Sequence, residues 1–90
     1  MPILHIDPEE LRMTAYKLSQ MAEEIEWQMR RLETADEMLQ TAWQGNSRWQ
    51  FQTELNERLY RLRLLVHEIM DLSVRLHREA AKWEAIDYGF

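Results

Sequence analysis

One break at the centre of the chain limits the folds open to this sequence. The segment from Ala42 to Ser47 holds Gly45, the first of only two glycines, and neither of the two prolines. Glycine takes a positive φ at little cost, which suits a residue just past the end of a helix. Ser47 with Gln50 fits a capping box that opens a second helix. We therefore predict a sharp reversal between two helices, with residues 44–46 as the turn.

The first half of the chain predicts one long helix over about residues 8–43. Asp7 followed by Pro8 matches an N-cap residue and a proline at the first helical position. Apolar side chains then recur every seven residues, which is the spacing of one face of a helix rather than of a strand. We call this line the first leucine stripe, and it consists of Leu11, Leu18, Ile25, Leu32 and Leu39.

The second half repeats the pattern and predicts a helix over about residues 47–86, with a short tail at 87–90. Its seven-residue line, the second leucine stripe, consists of Leu55, Leu62, Ile69, Leu76 and Trp83. Folding the chain back at Gly45 pairs residue i with about residue 90 − i, so that the two stripes face each other. The sequence therefore predicts an all-α fold, one antiparallel two-helix hairpin that forms a single domain over residues 1–90. Its predicted core is Leu18, Ile25, Leu32, Leu55, Leu62 and Ile69.

Apolar residues also occur outside the two stripes, although two helices offer each other only one face each. A chain of 90 residues is near the low end of the size that one core stabilises alone. We therefore predict that two hairpins dimerise into a four-helix bundle, with an interface that includes Tyr16, Trp27, Tyr60 and Leu64. The alternative is that these side chains are scattered singly in solvent, which is common on soluble proteins.

The net charge of −5 restricts the class of partner. Non-specific nucleic-acid binding depends on neutralising phosphates, and surface-active helices are usually basic, so neither nucleic acid nor a membrane is an expected partner. This disfavours a membrane-disrupting effector, and the predicted helices are too long for a helix-turn-helix DNA reader. The arginines fit a solvated helix face, although one cluster is a candidate for orienting a partner by charge: Arg58, Arg61 and Arg63.

Catalysis has little support in the sequence, so we predict no enzyme activity, no cofactor and no metal site. The chain has no cysteine and only three histidines. His67 and Asp71 are one helical turn apart, which is compatible with a metal site or an acid–base pair. A histidine and a carboxylate at this spacing more often form a surface hydrogen bond, and His77 projects away from the pair.

The central segment Ala42-Trp43-Gln44-Gly45, followed by an aromatic residue at Phe51, resembles the WXG100 family of ESAT-6-like proteins. Trp43, Gly45 and Phe51 form the turn motif in this interpretation. The motif is central in a chain near one hundred residues long, with a capped amphipathic helix on each side, and this layout matches the family. The resemblance implies a helical hairpin that pairs as a homodimer or with a paralogous partner.

The resemblance also implies secretion by a type VII system, whose membrane ATPase exports folded dimers made in the cytoplasm. We expect no Sec signal peptide, since residues 1–5 lack a basic stretch. The family places a secretion signal, Tyr-x-x-x-Asp or Glu, after the second helix of at least one partner. The nearest match here runs from Trp83 to Asp87, with tryptophan in the tyrosine position. Trp83 also ends the second leucine stripe, so the sequence leaves open whether this chain carries its own signal.

We therefore expect a non-enzymatic protein that is exported and acts by protein–protein interaction. The alternative is an intracellular helical adaptor or chaperone that binds a larger type VII toxin and is not itself exported. In an antiparallel dimer the turn of one hairpin would lie near the open end of the other. A further hypothesis therefore places Trp43 of one protomer beside Trp83 or Asp87 of its partner, as a composite export surface.

Overall fold

The computed structural model of the protein describes residues 5–87, which form two helices joined by a three-residue turn. Helix α1 spans Pro8–Ala42 and helix α2 spans Asn46–Asp87, with 35 and 42 residues. They pack as an antiparallel hairpin, a rod of 66 × 22 × 18 Å. Helix α1 ends one residue earlier than the sequence indicated, and α2 begins one residue earlier and ends one residue later.

Helix α1 begins as its sequence predicts. The Asp7 carboxylate accepts a hydrogen bond from the Glu9 backbone N–H at 3.0 Å, and Pro8 occupies the first helical position. The Asp7 carbonyl accepts the first intrahelical bond, from the Leu11 N–H at 3.2 Å. Glu9 and Glu10 place negative charge in the first turn, where the helix dipole favours it.

The centre of the core lies on a different line of residues from the two leucine stripes. The buried apolar side chains along the helix contact are Ala15, Ala22 and Met29 from α1, and Leu59, Val66 and Ala80 from α2. Small side chains on this line let the helix axes approach closely, which leaves the longer side chains along the edge of the contact. Among the predicted core residues, those packed against this centre while partly exposed are Ile25, Leu55, Leu62 and Ile69. Leu18 is half-buried as well, whereas Leu32 is 45% exposed.

A buried hydrogen bond between the helices shows the register of the hairpin. The Ser73 hydroxyl donates to the Ala15 carbonyl oxygen at 2.7 Å. The predicted partner of Ala15 was residue 75, so the observed register is two residues from the expected one. This bond satisfies a hydroxyl in the buried line, where an unpaired polar group would be costly.

The two long edges of the hairpin differ in polarity. Residues three positions after a core residue lie on one edge, for example Ile25 after Ala22 and Ile69 after Val66, because both helices have the same hand and opposite directions. We call this edge the leucine face; it comprises both leucine stripes and the neighbouring Met21, Leu65 and Leu72. Residues four positions after a core residue lie on the opposite, polar edge, which includes Glu26, Arg30, Glu33, Arg63 and His67 around a cleft of about 250 Å³. There Arg63 donates to Glu33 across the helices at 2.8 Å.

Candidate interaction surfaces

The turn between the helices depends on the backbone of Gly45 and on the side chain of Trp43. Trp43 ends α1 in an extended conformation, and its N–H donates to the Leu39 carbonyl at 2.9 Å. Gly45 has φ +105°, the positive value predicted for it. It does not close α1, however: its carbonyl accepts from the Trp49 N–H at 3.2 Å, which makes Gly45 the N-cap of α2. Ser47, predicted to cap α2, lies inside the first turn, and its hydroxyl accepts from the Trp43 indole N–H at 3.0 Å.

The turn motif forms a small aromatic cluster. The ring centroids of Trp43 and Phe51 are 5.3 Å apart, with the planes tilted by 45°. Trp43 is half-buried and Phe51 is 37% exposed, so both rings stay accessible from solvent. Trp49, on the first turn of α2, is 67% exposed. The end of the hairpin therefore presents three aromatic side chains within one short segment.

A buried ion pair beneath this cluster links the start of α2 to α1. Arg48 donates through Nη1 to the Asp36 carboxylate at 2.6 Å and through Nη2 to the Asp36 carbonyl at 3.0 Å. Nη2 also donates to Gln52 Oε1 at 2.9 Å. Arg48 and Asp36 are only 8% and 7% exposed. The hydrogen bond from Arg48 holds the pKa of Asp36 below its ordinary value. The Arg48 guanidinium lies 6.0 Å from the Trp43 ring centroid and 5.8 Å from that of Phe51.

This ion pair was not predicted, although the sequence contains a signal for it. Asp36 continues the seven-residue line of Ala15, Ala22 and Met29 that forms the centre of the core. A carboxylate in such a line needs a cation to compensate its burial. Arg48 is the nearest arginine beyond the turn, so the pairing follows once the buried line is identified.

The open end of the hairpin, where α1 begins and α2 ends, also carries a cross-helix ion pair. Arg12 donates through Nη2 both to Glu84 and to Glu9, the latter at 2.9 Å. These hydrogen bonds raise the pKa of Arg12 and lower that of Glu84. The side chains of Arg12 and Glu84 are 35% and 39% exposed, so this pair is far more open to solvent than the pair at the turn.

The candidate secretion signal lies next to that ion pair. Trp83 is half-buried, and its indole N–H donates to Glu79 Oε2 at 3.3 Å on the same helix. The Lys82 ammonium lies 5.6 Å from the centroid of the Trp83 ring. Asp87 is the last residue of α2, and its side chain lies outside the part of the chain that the structure describes. The structure thus places Trp83 at the open end, at the opposite end of the hairpin from Trp43.

The leucine face remains partly uncovered in one hairpin. Exposed apolar side chains on it are Met21, Leu32, Leu39, Leu65 and Leu72, which range from 36% to 55% exposed. Residues of the predicted dimer interface are also exposed, at 46% to 61%, but they lie elsewhere: Tyr16, Trp27, Tyr60 and Leu64. Tyr16 and Tyr60 each follow a core residue by one position, about 100° around the helix from the contact line. The Arg31 guanidinium lies 4.9 Å from the centroid of the Trp27 ring.

The remaining candidates from the sequence were a metal or acid–base pair and an arginine cluster. No group of three histidine, aspartate or glutamate side chains within residues 5–87 is placed to hold a metal ion. Of the arginine cluster, Arg58 and Arg61 pair with glutamates one turn away on α2, and Arg63 crosses to α1. Neither helix, over the described residues, has a stretch that is long and apolar enough to cross a membrane.

The fold and the turn define a class of protein, the small helical hairpins with a Trp-x-Gly turn and a partly uncovered apolar face. The chain belongs to the WXG100 family, described as proteins of 100 residues with WXG, whose family model matches residues 3–87. Family members are small proteins associated with type VII secretion. Comparison with curated proteins finds no match.

Solved structures of EsxB, a secreted protein from Bacillus anthracis str. Sterne, have the same fold. The selenomethionine-labelled EsxB superposes with a TM-score of 0.87 at 28% identity, over 97% of this chain and 99% of that one. The E54Q mutant of EsxB gives a TM-score of 0.86 at 26% identity, over 100% and 99% of the two chains. The match therefore covers both helices and the turn.

Proposed function

We propose that this protein forms a dimer through its leucine face and leaves the cell as a folded dimer by the type VII route. The observation that carries the dimer is the leucine face itself. Both leucine stripes lie on the same edge of the hairpin, and a single chain leaves that edge half exposed. Burying it removes a large apolar area from water, which is the main driving force for association.

A second copy of this chain is the simplest partner for the face. Two such faces related by a two-fold axis bury each other and make a closed four-helix bundle. The polar edge, which carries the Arg63–Glu33 pair, then faces solvent. WXG100 proteins typically pair as dimers, either with themselves or with a paralogous chain, and this supports the proposal.

Two adjacent leucines provide a matched test of the dimer surface. Leu65 lies on the leucine face and Leu64 lies about 100° away on the predicted interface, and they are 43% and 46% exposed. We expect Leu65→Glu to shift the mass in light scattering from a dimer, near twice 11.0 kDa, to a monomer. Leu64→Glu should leave the dimer intact, because the side chain at position 64 stays in solvent in the proposed dimer.

Each other outcome of that experiment has a definite meaning. If Leu64→Glu dissociates the dimer and Leu65→Glu does not, the interface includes the surface of Tyr16, Trp27, Tyr60 and Leu64. That result would contradict a dimer formed through the leucine face. A wild-type protein that is monomeric up to high micromolar concentration would exclude a self-sufficient homodimer. A paralogous chain would then be the partner, and mixing the two should restore the dimer.

Export is proposed from the two aromatic ends of the hairpin. The family membership and the secreted EsxB proteins support a type VII route. In an antiparallel dimer the Trp43 cluster of one protomer lies near Trp83 and Asp87 of the other, which supports a composite surface for the export ATPase. We expect Trp43→Ala and Asp87→Ala to reduce the amount of protein in culture medium while leaving the cellular dimer intact. Normal export of both folded variants would contradict this role.

A second candidate function is an intracellular adaptor for a larger type VII toxin. The observation in its favour is that Trp83 replaces the tyrosine of the family signal and is half-buried, with its indole bonded to Glu79. In that case Trp83 packs rather than signals, and the leucine face binds a helical region of the toxin. We expect Trp83→Tyr to be exported at least as well as wild type if the segment is a signal. If the wild-type protein and the Trp83→Tyr variant both stay inside the cell bound to a toxin, the adaptor function is favoured.

A further inference from the structure

Trp43 depends on α2 for its orientation. It lies outside both helices, and its backbone is extended rather than helical. The partners of its indole are Ser47, which accepts its N–H, and the Phe51 ring. The Arg48 guanidinium lies 6.0 Å from its centroid. All three belong to the first two turns of α2, so the indole moves with α2 rather than with the helix that ends at Trp43.

The backbone of the turn alone does not determine the direction of α2. Gly45 has φ +105°, and among the described residues no atom beyond its chain neighbours lies within 4 Å of where a Cβ would be. Glycine has no Cβ to restrict its backbone angles. Contacts beyond the turn therefore help to set the direction of the first turn of α2 relative to α1.

Arg48 makes those contacts. Its guanidinium fork engages the carboxylate and the backbone carbonyl of Asp36 on α1 and the amide of Gln52 on α2. Gln52 in turn donates to Asn56 at 3.0 Å. Arginine holds direction in a way that lysine cannot, because its planar fork fixes several donors at once. Charge-assisted bonds in a buried site are also among the strongest that proteins form.

We propose that Arg48 is a positioning residue for the turn motif, and that its ion pair with Asp36 holds Trp43 and Phe51 as a rigid aromatic anchor. A preorganised anchor binds more tightly than a mobile one, because less freedom is lost on binding. The idea that this anchor is read during export rests on the proposed function. The positioning itself is independent of export and is tested separately below.

The first measurement uses the wild-type dimer and compares two tryptophans. Proton exchange of the Trp43 indole N–H, followed by NMR, should be much slower than that of Trp49, which is 67% exposed. The Trp43 signal is assigned with a Trp43→Phe variant. Equal exchange rates at the two indoles would mean that Trp43 is not held, and would overturn the proposal without any variant of Arg48.

The second measurement uses Arg48→Lys and Asp36→Asn, with Arg63→Lys as the matched control in the inter-helix pair of Arg63 and Glu33. Arg48→Lys keeps the charge and most of the stem but loses the fork. We expect both turn variants to lose the slow exchange of Trp43 and to broaden its 19F signal in 5-fluorotryptophan-labelled protein. Helicity, dimer mass and the Trp83 signal should stay as in wild type. Arg63→Lys should change none of these signals.

A purely stabilising role predicts a different pattern. In that case Arg48→Lys lowers the midpoint of thermal unfolding while the Trp43 exchange rate and 19F line width below the transition stay unchanged, which would overturn the proposal. If Arg48→Lys does not fold, the Asp36→Asn variant and the wild-type comparison still decide.

Secretion is a second measurement, and it separates a failure of the proposed function from a failure of the positioning role of Arg48. We expect Arg48→Lys to reduce secretion as Trp43→Ala does, with the cellular dimer intact. If Trp43→Ala itself is exported normally, the motif has no export role and the proposed function fails, whereas the NMR result still decides the positioning. If Trp43→Ala fails to be exported but a folded Arg48→Lys with a mobile Trp43 is exported normally, rigidity of the anchor is unnecessary and that part of the inference is wrong.

Discussion

The turn end and the open end of the hairpin are each closed by an arginine of one helix that reaches a carboxylate of the other. At the turn, Arg48 and Asp36 are 8% and 7% exposed, and the arginine engages three acceptors. At the open end, the side chains of Arg12 and Glu84 are 35% and 39% exposed, and Arg12 is shared with Glu9. The chemistry is the same, and the surroundings differ.

That difference separates a contact that fixes geometry from one that adds little. Solvent screens an exposed ion pair, and its long side chains lose entropy, so such pairs contribute little stability. A buried pair must keep its geometry, because breaking it leaves an uncompensated charge in the interior. We therefore expect the turn end to be the more rigid end of the hairpin. The open end carries Trp83 and Asp87 on the last turns of α2, where helix ends fray most readily.

The largest expected effect comes from removing one arginine at each end. Arg48→Met leaves the Asp36 carboxylate buried without its cation, so we expect a clear fall in the urea midpoint. Arg12→Met frees Glu84 to be hydrated, and we expect a much smaller fall. Equilibrium urea unfolding followed by circular dichroism, at one protein concentration, measures both. Equal losses at the two ends would show that burial does not distinguish the contributions of the two ion pairs.

Substitution of Gly45 tests the backbone of the turn by itself. Among residues 5–87 no neighbouring atom obstructs a side chain there, so we attribute the expected loss to the positive φ. We expect Gly45→Ala to cost about 1–3 kcal/mol of unfolding free energy, the usual range for a residue held in a disfavoured backbone region. Gly45→Asn should cost less, since asparagine tolerates positive φ better than other residues. Chemical denaturation measures both, and a neutral Gly45→Ala would show that the turn relaxes to negative φ.

The smallest effect near neutral pH is that of titration. Asp36 and Glu84 have pKa values lowered from 3.8 and 4.5 by their arginines. A lowered carboxyl pKa contributes stability that is fully present above the ordinary value and is lost as the pH falls through the lowered one. We therefore expect level stability from pH 7 to about 5 and a loss in stronger acid.

Variants assign that acid loss to one end or the other. Asp36→Asn should remove more of the slope of unfolding free energy against pH than Glu84→Gln, because the turn pair is buried. Denaturant unfolding at a series of pH values measures the slope. A larger reduction from Glu84→Gln would reverse the order of the two ends.

Much of the fold follows from patterns that the sequence displays directly. The seven-residue spacing, the Asp7-Pro8 start and the central glycine give two helices and a reversal, and the register lies within two residues of the expected one. These features are local, or they repeat along the chain. The position of the core centre was harder to predict, because periodicity favours the largest apolar side chains. The helices instead meet along small ones such as Ala15 and Ala22.

Sequence patterns did not predict the contacts at the turn. Asp36 counts as polar in a pattern of apolar residues, so its burial became apparent only with Arg48 beside it. Ser47 has the right spacing for a cap, but the Trp43 indole takes its hydroxyl, and Gly45 becomes the cap instead. Such choices depend on competition between neighbours in space. The sequence likewise shows that surplus apolar surface exists without showing which of the exposed side chains share an edge.

The thin core of the hairpin has a consequence for how the protein responds to its own abundance. Within residues 5–87, three of the six buried apolar side chains along the helix contact are alanines, each of which removes little apolar area from water. If two copies complete the core, folding gains free energy from association and follows mass action. Dilution then loosens the helices as well as separating the chains. A few copies per cell would be exposed to proteases, whereas a strongly expressed protein would be protected by its own concentration.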